Sequence, residues 1–523
     1  MAASSSNGAA LNGSQKYRRI TSQPENPFAS FIPDQSLAIV PEFTLESGVV
    51  LYNVPVAYKT FGALSPQRDN AMVICHALTG SADVGDWWGP LLGGPGKAFD
   101  TSRFFVVCIN SLGSPYGSAS PVTAKDGDTA KGLYGPEFPL TTVRDDVNIF
   151  KLILDDLGVR QIAAVIGGSM GGMLVLEFAY FGKDYVRCII PIATSARYSA
   201  WGISWGEAQR QSIYCDPKYD DGYYTFEDPP STGLGAARMS ALLTYRSRDS
   251  FESRFGRNTP DPSKRQNING GQRPSTPSQE AWAIHNDGHK NARSPRPSRV
   301  TSSASIATSI PNAASAHSNL EFHNPSTSAT IEKSNDALNE SAKGNVSERA
   351  KKQTPTYFSA QSYLRYQGEK FIKRFDANCY IAITRKLDTH DVSRHRYPEG
   401  CTPHDTHPVT ALHHALSLVS QPTLILGIQS DGLFTFAEQQ ELAAHIPNAA
   451  LKTIDSPEGH DAFLLEFEQV NTHLVKFLNE TLPDIMSRSP QLEGVIGESD
   501  DGAMGAKKTS TFGEAEVDDI TAW

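Results

Sequence analysis

The sequence predicts an α/β fold, in which a mostly parallel sheet carries helices on both faces. Short apolar runs that suit buried strands, such as AMVICHA at 71–77 and QIAAVIG at 161–167, alternate with longer stretches of helical period. Because each crossover helix packs back onto the sheet, this alternation is typical of parallel sheets covered on both faces.

The elements of the first part follow one another in a regular order. Residues 43–61 alternate in polarity around a turn at Glu46-Ser47-Gly48, which predicts a β-hairpin. Strands are then predicted at 71–77, 104–110, 161–167 and 187–193. The helix predicted over 142–157 starts with a capping box of Thr142 and Asp145, and Gly158 stands where a C-terminal glycine belongs. A second helix is predicted over 173–181.

The pattern changes after residue 200. Residues 201–257 are rich in Trp, Tyr and Arg without a strand signal, and 357–387 predicts helix. Between them, 258–353 is mainly polar and charged and holds two aromatic residues, Trp282 and Phe322. Such a segment buries too little apolar area to offset its ordering entropy, so we expect a disordered insertion.

The sheet pattern resumes near residue 422. A strand at 422–430, a helix at 437–445, a strand at 451–455 and an amphipathic helix at 462–478 complete it. We therefore predict a core in two parts, 36–200 and 416–482, which is interrupted by a helical lid at 201–415. We expect a disordered arm at 1–35 and a flexible acidic tail at 483–523.

Composition narrows the class of protein. The net charge of the 523 residues is −10, and eight acidic against two basic residues from Glu493 onward supply more than half of it. The nearly balanced remainder argues against non-specific binding to nucleic acid or anionic membranes. The sequence contains no run of about 20 apolar residues, so it predicts no membrane span. Six cysteines without a CxxC motif and an N-terminus without an apolar signal core predict a cytoplasmic location. The start of the chain weakly resembles a transit peptide, but no Arg-rich amphipathic stretch supports one.

The strongest chemical signal is the pentapeptide Gly167-Gly168-Ser169-Met170-Gly171, between a predicted strand and a predicted helix. It matches G-x-S-x-G, the nucleophile turn of the α/β-hydrolase fold, in the strand–turn–helix context that the motif requires. A glycine-rich βα loop is the structural alternative. The context favours Ser169 as the nucleophile.

A serine hydroxyl needs a base, and this fold supplies it in the chain order Ser, Asp or Glu, His. Asp431 follows the predicted strand 422–430, and His460 follows the strand 451–455. Each alone would read as an ordinary loop residue. Together they lie at strand ends where this class of sheet builds its sites. We therefore predict a Ser169–His460–Asp431 triad.

The same chemistry needs two backbone N–H groups that stabilise an oxyanion. In this fold one belongs to the residue after the nucleophile and the other to the loop after an early strand. We predict Met170 and, within His76-Ala77-Leu78-Thr79-Gly80, Leu78 as these donors.

Several segments together resemble homoserine O-acetyltransferase in its fungal form. They are HALTGSADVGDWWGPLLG, NSLGSPYGSASP, YGPEFPLTTVRDDV, IGGSMGGM, ARMSALLTYRS, IQSDGLF and SPEGHDAFLLEF, and the similarity covers about 36–257 and 354–480. Even the closing FGEAEVDDITAW resembles the fungal enzymes. The long polar insertion departs from the shorter bacterial members.

The resemblance implies ping-pong acetyl transfer from acetyl-CoA, as co-substrate, to L-homoserine through an acyl-serine. It implies that Arg238, Tyr245 and Asp461 hold the amino acid, and it suggests a homodimer without a bound metal or cofactor. These residue types suit a zwitterion, because a guanidinium binds its carboxylate and a carboxylate binds its ammonium group. On position alone, Arg238 reads as a surface arginine and Asp461 as a helix cap.

Other activities share these motifs. Serine O-acetyltransferases of this fold and deacetylcephalosporin C acetyltransferase are the nearest alternatives. A plain esterase or thioesterase and a non-catalytic interaction protein are further ones, and the intact triad argues against the last. The residues by themselves leave the acceptor open.

Overall fold

The computed structural model describes residues 16–259, 276–289 and 358–491. The chain divides into two compact units, one formed by 1–256 with 360–522 and the other by 257–359 with the last residue. The first unit carries the sheet and the predicted triad. In the second unit the structure describes a short helix within the predicted insertion, and residues 260–275 and 290–353 of that insertion lie outside the described residues.

The strands of the described residues, in chain order, are β1 (Arg18–Ile20), β2 (Ser36–Thr44), β3 (Val50–Phe61), β4 (Ala71–Cys75), β5 (Leu92–Gly93), β6 (Phe99–Asp100), β7 (Phe105–Ile109), β8 (Ile162–Gly168), β9 (Val186–Ile192), β10 (Thr423–Ile428) and β11 (Ala449–Ile454). The α-helices of the same residues are α1 (Val84–Trp87), α2 (Val143–Asp156), α3 (Met170–Ala179), α4 (Ala200–Tyr214), α5 (Ser231–Tyr245), α6 (Arg248–Arg254), α7 (Pro277–His285), α8 (Ser359–Phe371), α9 (Ala377–Asp388), α10 (Pro408–Ser417), α11 (Phe436–His445), α12 (Ala462–Leu465), α13 (Phe467–Thr481) and α14 (Pro483–Met486).

One nine-stranded sheet organises the first unit. Its order is β1-β2-β3-β7-β4-β8-β9-β10-β11. The pairs β1–β2, β2–β3 and β3–β7 are antiparallel, and from β7 to β11 all neighbours are parallel. The predicted fold class, a mostly parallel sheet that begins with a hairpin, is confirmed.

The central strands are buried along their whole length. On β4, Met72 and Ile74 belong to one hydrophobic cluster, whereas Val73 and Cys75 belong to another. Successive side chains of a strand point to opposite faces, so the two clusters lie on the two faces of the sheet. Helices therefore cover both faces, as the continuous apolar runs predict.

The predicted ends of α2 are confirmed. Thr142 accepts a hydrogen bond from the Asp145 backbone N–H at 3.1 Å, and the Asp145 carboxylate accepts one from the Thr142 N–H at 2.8 Å. Gly158 has a φ of +84°, the left-handed conformation that favours glycine after a helix. Local capping chemistry thus sets both ends of this helix.

The prediction of a disordered arm over 1–35 is wrong from residue 16 onward, and 1–15 lie outside the described residues. β1 pairs with β2, Tyr17 is buried, and the Arg19 guanidinium contacts the Asp156 carboxylate at 2.5 Å and the Tyr58 hydroxyl at 2.9 Å. Ile32 is also buried, in the same core cluster as Tyr17. Backbone pairing, an ion pair and these apolar contacts order the segment.

The flexible tail predicted over 483–523 is also wrong in its first residues. α14 buries Ile485, and Arg488 binds both oxygens of Asp69, at 2.7 and 2.8 Å. The backbone N–H of Gln491 donates to the Ser102 carbonyl at 2.8 Å. The residues from 492 onward lie outside the described part of the chain.

Three boundaries within the predicted lid and closing segments differ from the structure. The helix predicted over 357–387 is two helices, α8 and α9, and the closing helix is interrupted at Glu466 between α12 and α13. α10 lies within the predicted lid, but it packs against α11 of the core, and its Ala415 carbonyl accepts from the Tyr180 hydroxyl at 3.0 Å. The core therefore resumes before residue 416.

Candidate active site

Ser169 occupies the sharp turn between β8 and α3. Its φ of +59° and ψ of −125° are strained for a residue with a side chain. The turn is possible because its neighbours lack side chains: a Cβ on Gly171 would lie 2.1 Å from the Cys75 carbonyl oxygen, and one on Gly167 would lie 2.6 Å from that of Gly171. The local sequence thus produces the strained strand–turn–helix geometry that the motif predicts.

Asp431 and His460 come together from loops after adjacent parallel strands. Asp431 follows β10, and His460 lies in a short 3-10 turn after β11. The His460 Nδ1 and the Asp431 Oδ2 are 2.7 Å apart, and both side chains are buried. This contact leaves the His460 Nε2 as the ring atom that can serve a reacting hydroxyl.

The Asp431 carboxylate is itself held in place. Its Oδ1 accepts hydrogen bonds from the backbone N–H groups of Leu433, at 2.8 Å, and Phe434, at 3.0 Å. The imidazole of His460 packs near the rings of Phe434 and Phe463, with centroids 5.3 and 5.5 Å away. The orientation of the imidazole therefore depends on contacts to the loop after β10 and to α12.

Ser169 and His460 line one cavity. Most of its wall is apolar or aromatic, as is usual for small-molecule sites. The lining residues are Ala77, Leu78, Thr79, Gly80, Trp87, Ser169, Tyr198, Trp205, Gly206, Gln209, Thr244, Tyr245, Thr384, Leu387, Leu433, Phe434, His460, Asp461, Phe463 and Leu464. They come from the core and from the helical lid, on α4, α5 and α9.

One of the two predicted oxyanion donors lines this cavity, and the other directly follows Ser169. Leu78 lies in the loop after β4 and lines the cavity wall. Met170 is the first residue of α3, and the N–H groups of a first helical turn have no partner within their own helix. The role of the two N–H groups as oxyanion donors stays a prediction.

The predicted substrate residues are only partly brought to the cavity. Tyr245 and Asp461 line it, whereas Arg238 does not. Arg238 is buried on α5, with its guanidinium 5.3 Å from the ring centroid of Tyr245 and 4.8 Å from that of Phe371. It therefore lies behind the wall that Tyr245 forms, and the expectation of a surface arginine is wrong.

Asp461 has a neighbour that the sequence reasoning missed. The Arg246 Nε lies 3.0 Å from the Asp461 Oδ2, and the Arg246 Nη1 lies 2.6 Å from a Glu458 oxygen. Arg254 also binds Glu458, at 2.6 Å. Burial acts to lower the pKa of Arg246, but the Asp461 and Glu458 carboxylates outweigh it and raise that pKa.

This ion-pair cluster joins the end of α5 to the loop that carries His460. Gly459 permits the approach, because a Cβ there would lie 2.4 Å from the Ser247 backbone nitrogen. The sequence shows that Arg246 follows Tyr245 and that Asp461 follows His460. Nothing local shows that they pair across more than two hundred residues.

Within the described ranges, no helix is both long and apolar enough to cross a membrane. The same residues contain no group of three His, Cys, Asp or Glu side chains arranged to hold a metal ion.

Comparison with known proteins agrees with the geometry. A family profile described as the α/β-hydrolase fold matches residues 70–467. Homoserine O-acetyltransferase of Emericella nidulans is 66% identical over 97% of this chain and 98% of its own length. The protein of the same name from Ascobolus immersus is 60% identical over the same shares, and that of Schizosaccharomyces pombe is 55% identical over 96% of both.

Solved structures support the fold. That of homoserine O-acetyltransferase from Bacillus anthracis is 19% identical, with a TM-score of 0.59 over 85% of this chain and 97% of its own. An acetylester hydrolase from Corynebacterium glutamicum is 20% identical, with a TM-score of 0.58 over 87% and 99%. These solved structures show the fold, and the near-full-length relatives establish that the chain belongs to the homoserine O-acetyltransferase family of the α/β-hydrolase fold.

Proposed function

We propose that this chain transfers the acetyl group of acetyl-CoA to the hydroxyl of L-homoserine and so forms O-acetyl-L-homoserine, a step of methionine biosynthesis. The observation that carries the proposal is the lining of one cavity by Ser169, His460 and Asp461. The first two suit acyl transfer through a serine, and the third suits an acceptor with an ammonium group. The names of the near-full-length relatives supply the acceptor itself.

In the first half-reaction, the Ser169 hydroxyl attacks the thioester carbonyl while the His460 Nε2 takes its proton. The carbonyl oxygen becomes an oxyanion, which accepts hydrogen bonds from the N–H groups of Leu78 and Met170. Asp431 stabilises the imidazolium from the Nδ1 side. When the carbon–sulfur bond breaks, His460 returns the proton to the sulfur, so CoA leaves as a thiol and Ser169 is acetylated.

In the second half-reaction, the homoserine hydroxyl takes the position that CoA has left. His460 removes the hydroxyl proton as the oxygen attacks the acetyl carbonyl, and the same N–H groups hold the second oxyanion. The bond to the Ser169 oxygen then breaks, and His460 protonates that oxygen. The product leaves and the free enzyme is restored.

Acceptor recognition follows from charge. Asp461 lines the cavity beside His460 and is suited to the substrate ammonium. Arg238 lies behind Tyr245, and we propose that its charge acts on the substrate carboxylate from there. An apolar wall that includes Trp87, Trp205 and Phe434 keeps bulk water from the acyl-enzyme, so that a positioned hydroxyl outcompetes hydrolysis.

The proposal is tested by acceptor profiling of the purified full-length chain. Acetyl-CoA is offered with L-homoserine, L-serine, deacetylcephalosporin C or no acceptor, and CoA release and acetylated product are both measured. We expect the highest kcat/KM with L-homoserine and slow CoA release without an acceptor. A higher kcat/KM with either other acceptor, or equally fast CoA release without one, would overturn the assignment.

We also propose a cytoplasmic homodimer. All six cysteines are free, four of them buried, as is typical of a reducing compartment, and the dimer rests on the family resemblance. Fractionation of the source cells and light scattering of the purified protein test the two parts. Activity in an organelle fraction would contradict the first, and a monomeric mass would contradict the second.

A further inference from the structure

His76 is a buried histidine outside the triad, at the junction of β4 and the loop that carries Leu78. Its side chain is fully buried, and each ring nitrogen lies against a backbone group. Nδ1 is 2.8 Å from the Ala77 carbonyl oxygen, and Nε2 is 2.9 Å from the Ser111 backbone nitrogen. The ring therefore bridges two loops that follow neighbouring strands of the sheet.

These two partners determine the tautomer of His76. The Ser111 amide can only donate, so Nε2 must be the acceptor, whereas the Ala77 carbonyl can only accept, so Nδ1 must carry the proton. Burial lowers the pKa of His76 to about 4, in spite of its bond to Ala77, and the nearby Lys386 charge acts in the same direction. The imidazole is accordingly neutral at pH 7, and both bonds are made at once.

The Ala77 carbonyl belongs to the same peptide group as the Leu78 N–H. Because the group is planar and trans, fixing the direction of the oxygen fixes the N–H in the opposite direction. The same oxygen also accepts from the Gly80 N–H at 3.0 Å. Two donors, one of them a buried ring, thus hold this peptide in a single orientation.

We propose that His76 is a positioning residue for the oxyanion hole, whose Nδ1–H holds the Ala77–Leu78 peptide so that the Leu78 N–H faces the reacting carbonyl. The proposal rests on the proposed function in one respect, the role of Leu78 as oxyanion donor. It is independent of which alcohol accepts the acetyl group.

The loop that donates to the His76 Nε2 is also held in place. Next to Ser111, the Leu112 N–H donates to the Asp146 Oδ1 at 2.9 Å, and the Leu112 carbonyl accepts from the Lys386 Nζ at 2.7 Å. Lys386 and Asp146 form a fully buried ion pair. The loop that bonds to the imidazole is therefore itself held by α2 and the lid helix α9, so the position of the ring is fixed.

Two substitutions of His76 distinguish a role in orienting the Ala77–Leu78 peptide from a role in packing alone. In His76→Asn the side-chain amide can place an N–H where Nδ1 lies, so the bond to Ala77 can be kept while that to Ser111 is lost. In His76→Gln the amide reaches the position of Nε2, so the bond to Ser111 can be kept while that to Ala77 is lost. Both variants replace the ring with a neutral amide, and each serves as the control for the other.

Each variant is assayed with p-nitrophenyl acetate, for which no acceptor has to be known, and for inhibition by a small alkylboronic acid, which forms a tetrahedral adduct with serine. We expect His76→Gln to lower the acylation rate constant on the order of a hundredfold, as loss of an oxyanion donor does, and to weaken boronate binding. We expect His76→Asn to stay within roughly tenfold of wild type. The KM for L-homoserine should be unchanged in both.

Equal losses in the two variants, or losses only in thermal stability, would overturn the proposal. Failure of the proposed function is a separate result: the wild-type chain would then not acetylate L-homoserine, although the ranking of the two variants on p-nitrophenyl acetate would stand.

Discussion

The Asp431 Oδ2 and the His460 Nδ1 lie 2.7 Å apart, although the two residues follow different strands. The other carboxylate oxygen is occupied by two backbone N–H groups, so the carboxylate cannot turn away. Its position fixes both the tautomer and the direction of the imidazole. The predicted triad depends on this contact.

Asp431→Asn should retain the fold but lose activity on the order of ten-thousandfold in kcat. The amide can present an N–H to Nδ1, which would force the proton onto Nε2 and remove the base. Steady-state kinetics with acetyl-CoA and L-homoserine measures the loss, and circular dichroism checks the fold. Activity within tenfold of wild type would show that Asp431 does not orient His460.

Ser169→Ala should abolish the acetyl-enzyme and lower kcat on the order of a millionfold. The hydroxyl is the atom to which the acetyl group is bound, and alanine offers no substitute. Mass spectrometry of intact protein after exposure to acetyl-CoA should show one added acetyl group in wild type and none in the variant. An acetyl group that persists at another residue would refute Ser169 as the nucleophile.

Gly171→Ala should destabilise the nucleophile turn, because the new methyl group would lie 2.1 Å from the Cys75 carbonyl oxygen. Overpacking of this kind lowers the free energy of unfolding by about 1–3 kcal/mol or more, and kcat should fall with it. Urea unfolding and activity are measured together. The control is Gly89→Ala, where no atom lies within 4 Å of the added Cβ, and equal stability of the two variants would contradict the prediction.

Asp461→Asn should raise the KM for L-homoserine about ten- to a hundredfold, since a charge-assisted hydrogen bond is worth about 1.5–3 kcal/mol. Hydrolysis of p-nitrophenyl acetate, which carries no ammonium group, should change far less. Asp455→Asn, at an exposed position near the same loop, is the control and should change neither. An equal loss on both substrates would mean that Asp461 acts on the triad rather than on the acceptor.

Asp69→Asn should destabilise the protein at neutral pH but not in acid. The hydrogen bonds from Arg488 lower the pKa of Asp69 from 3.8 to about 2. A carboxylate whose pKa is lower in the folded state stabilises the protein at pH values above its pKa in the unfolded state. This stabilisation is lost as the pH falls through the pKa of the folded state. The difference in unfolding free energy between wild type and variant should therefore be full at pH 6 and shrink between pH 4 and 2. A difference that stays constant with pH would contradict this.

Local signals account for the parts of the fold that the sequence predicts. Apolar runs mark the central strands, and the Thr142–Asp145 box marks the start of α2. The small residues around Ser169 predict its turn, because a Cβ would not fit there. Chain order then predicts Asp431 and His460, whose roles as catalytic residues remain a prediction.

The missed features depend on partners far away in the chain. The segment after residue 15 is ordered by Arg19 with Asp156, 137 residues away, and the segment after α14 by Arg488 with Asp69, 419 residues away. Neither pairing is visible in the local sequence, because its two partners meet only in the folded chain. The same holds for Arg246, whose ion pair with Asp461 is invisible until α5 and the His460 loop are brought together.

The amino-acid sequence alone determined the strands, the strained turn at Ser169 and the family, because periodicity, steric room for glycine and motif spacing act over a few residues. Only the tertiary structure decided that Arg238 is buried behind Tyr245, that Asp461 meets a second arginine and that His76 bridges two loops. Such contacts depend on which surfaces packing brings within about 3 Å for a hydrogen bond, and no local pattern encodes that distance.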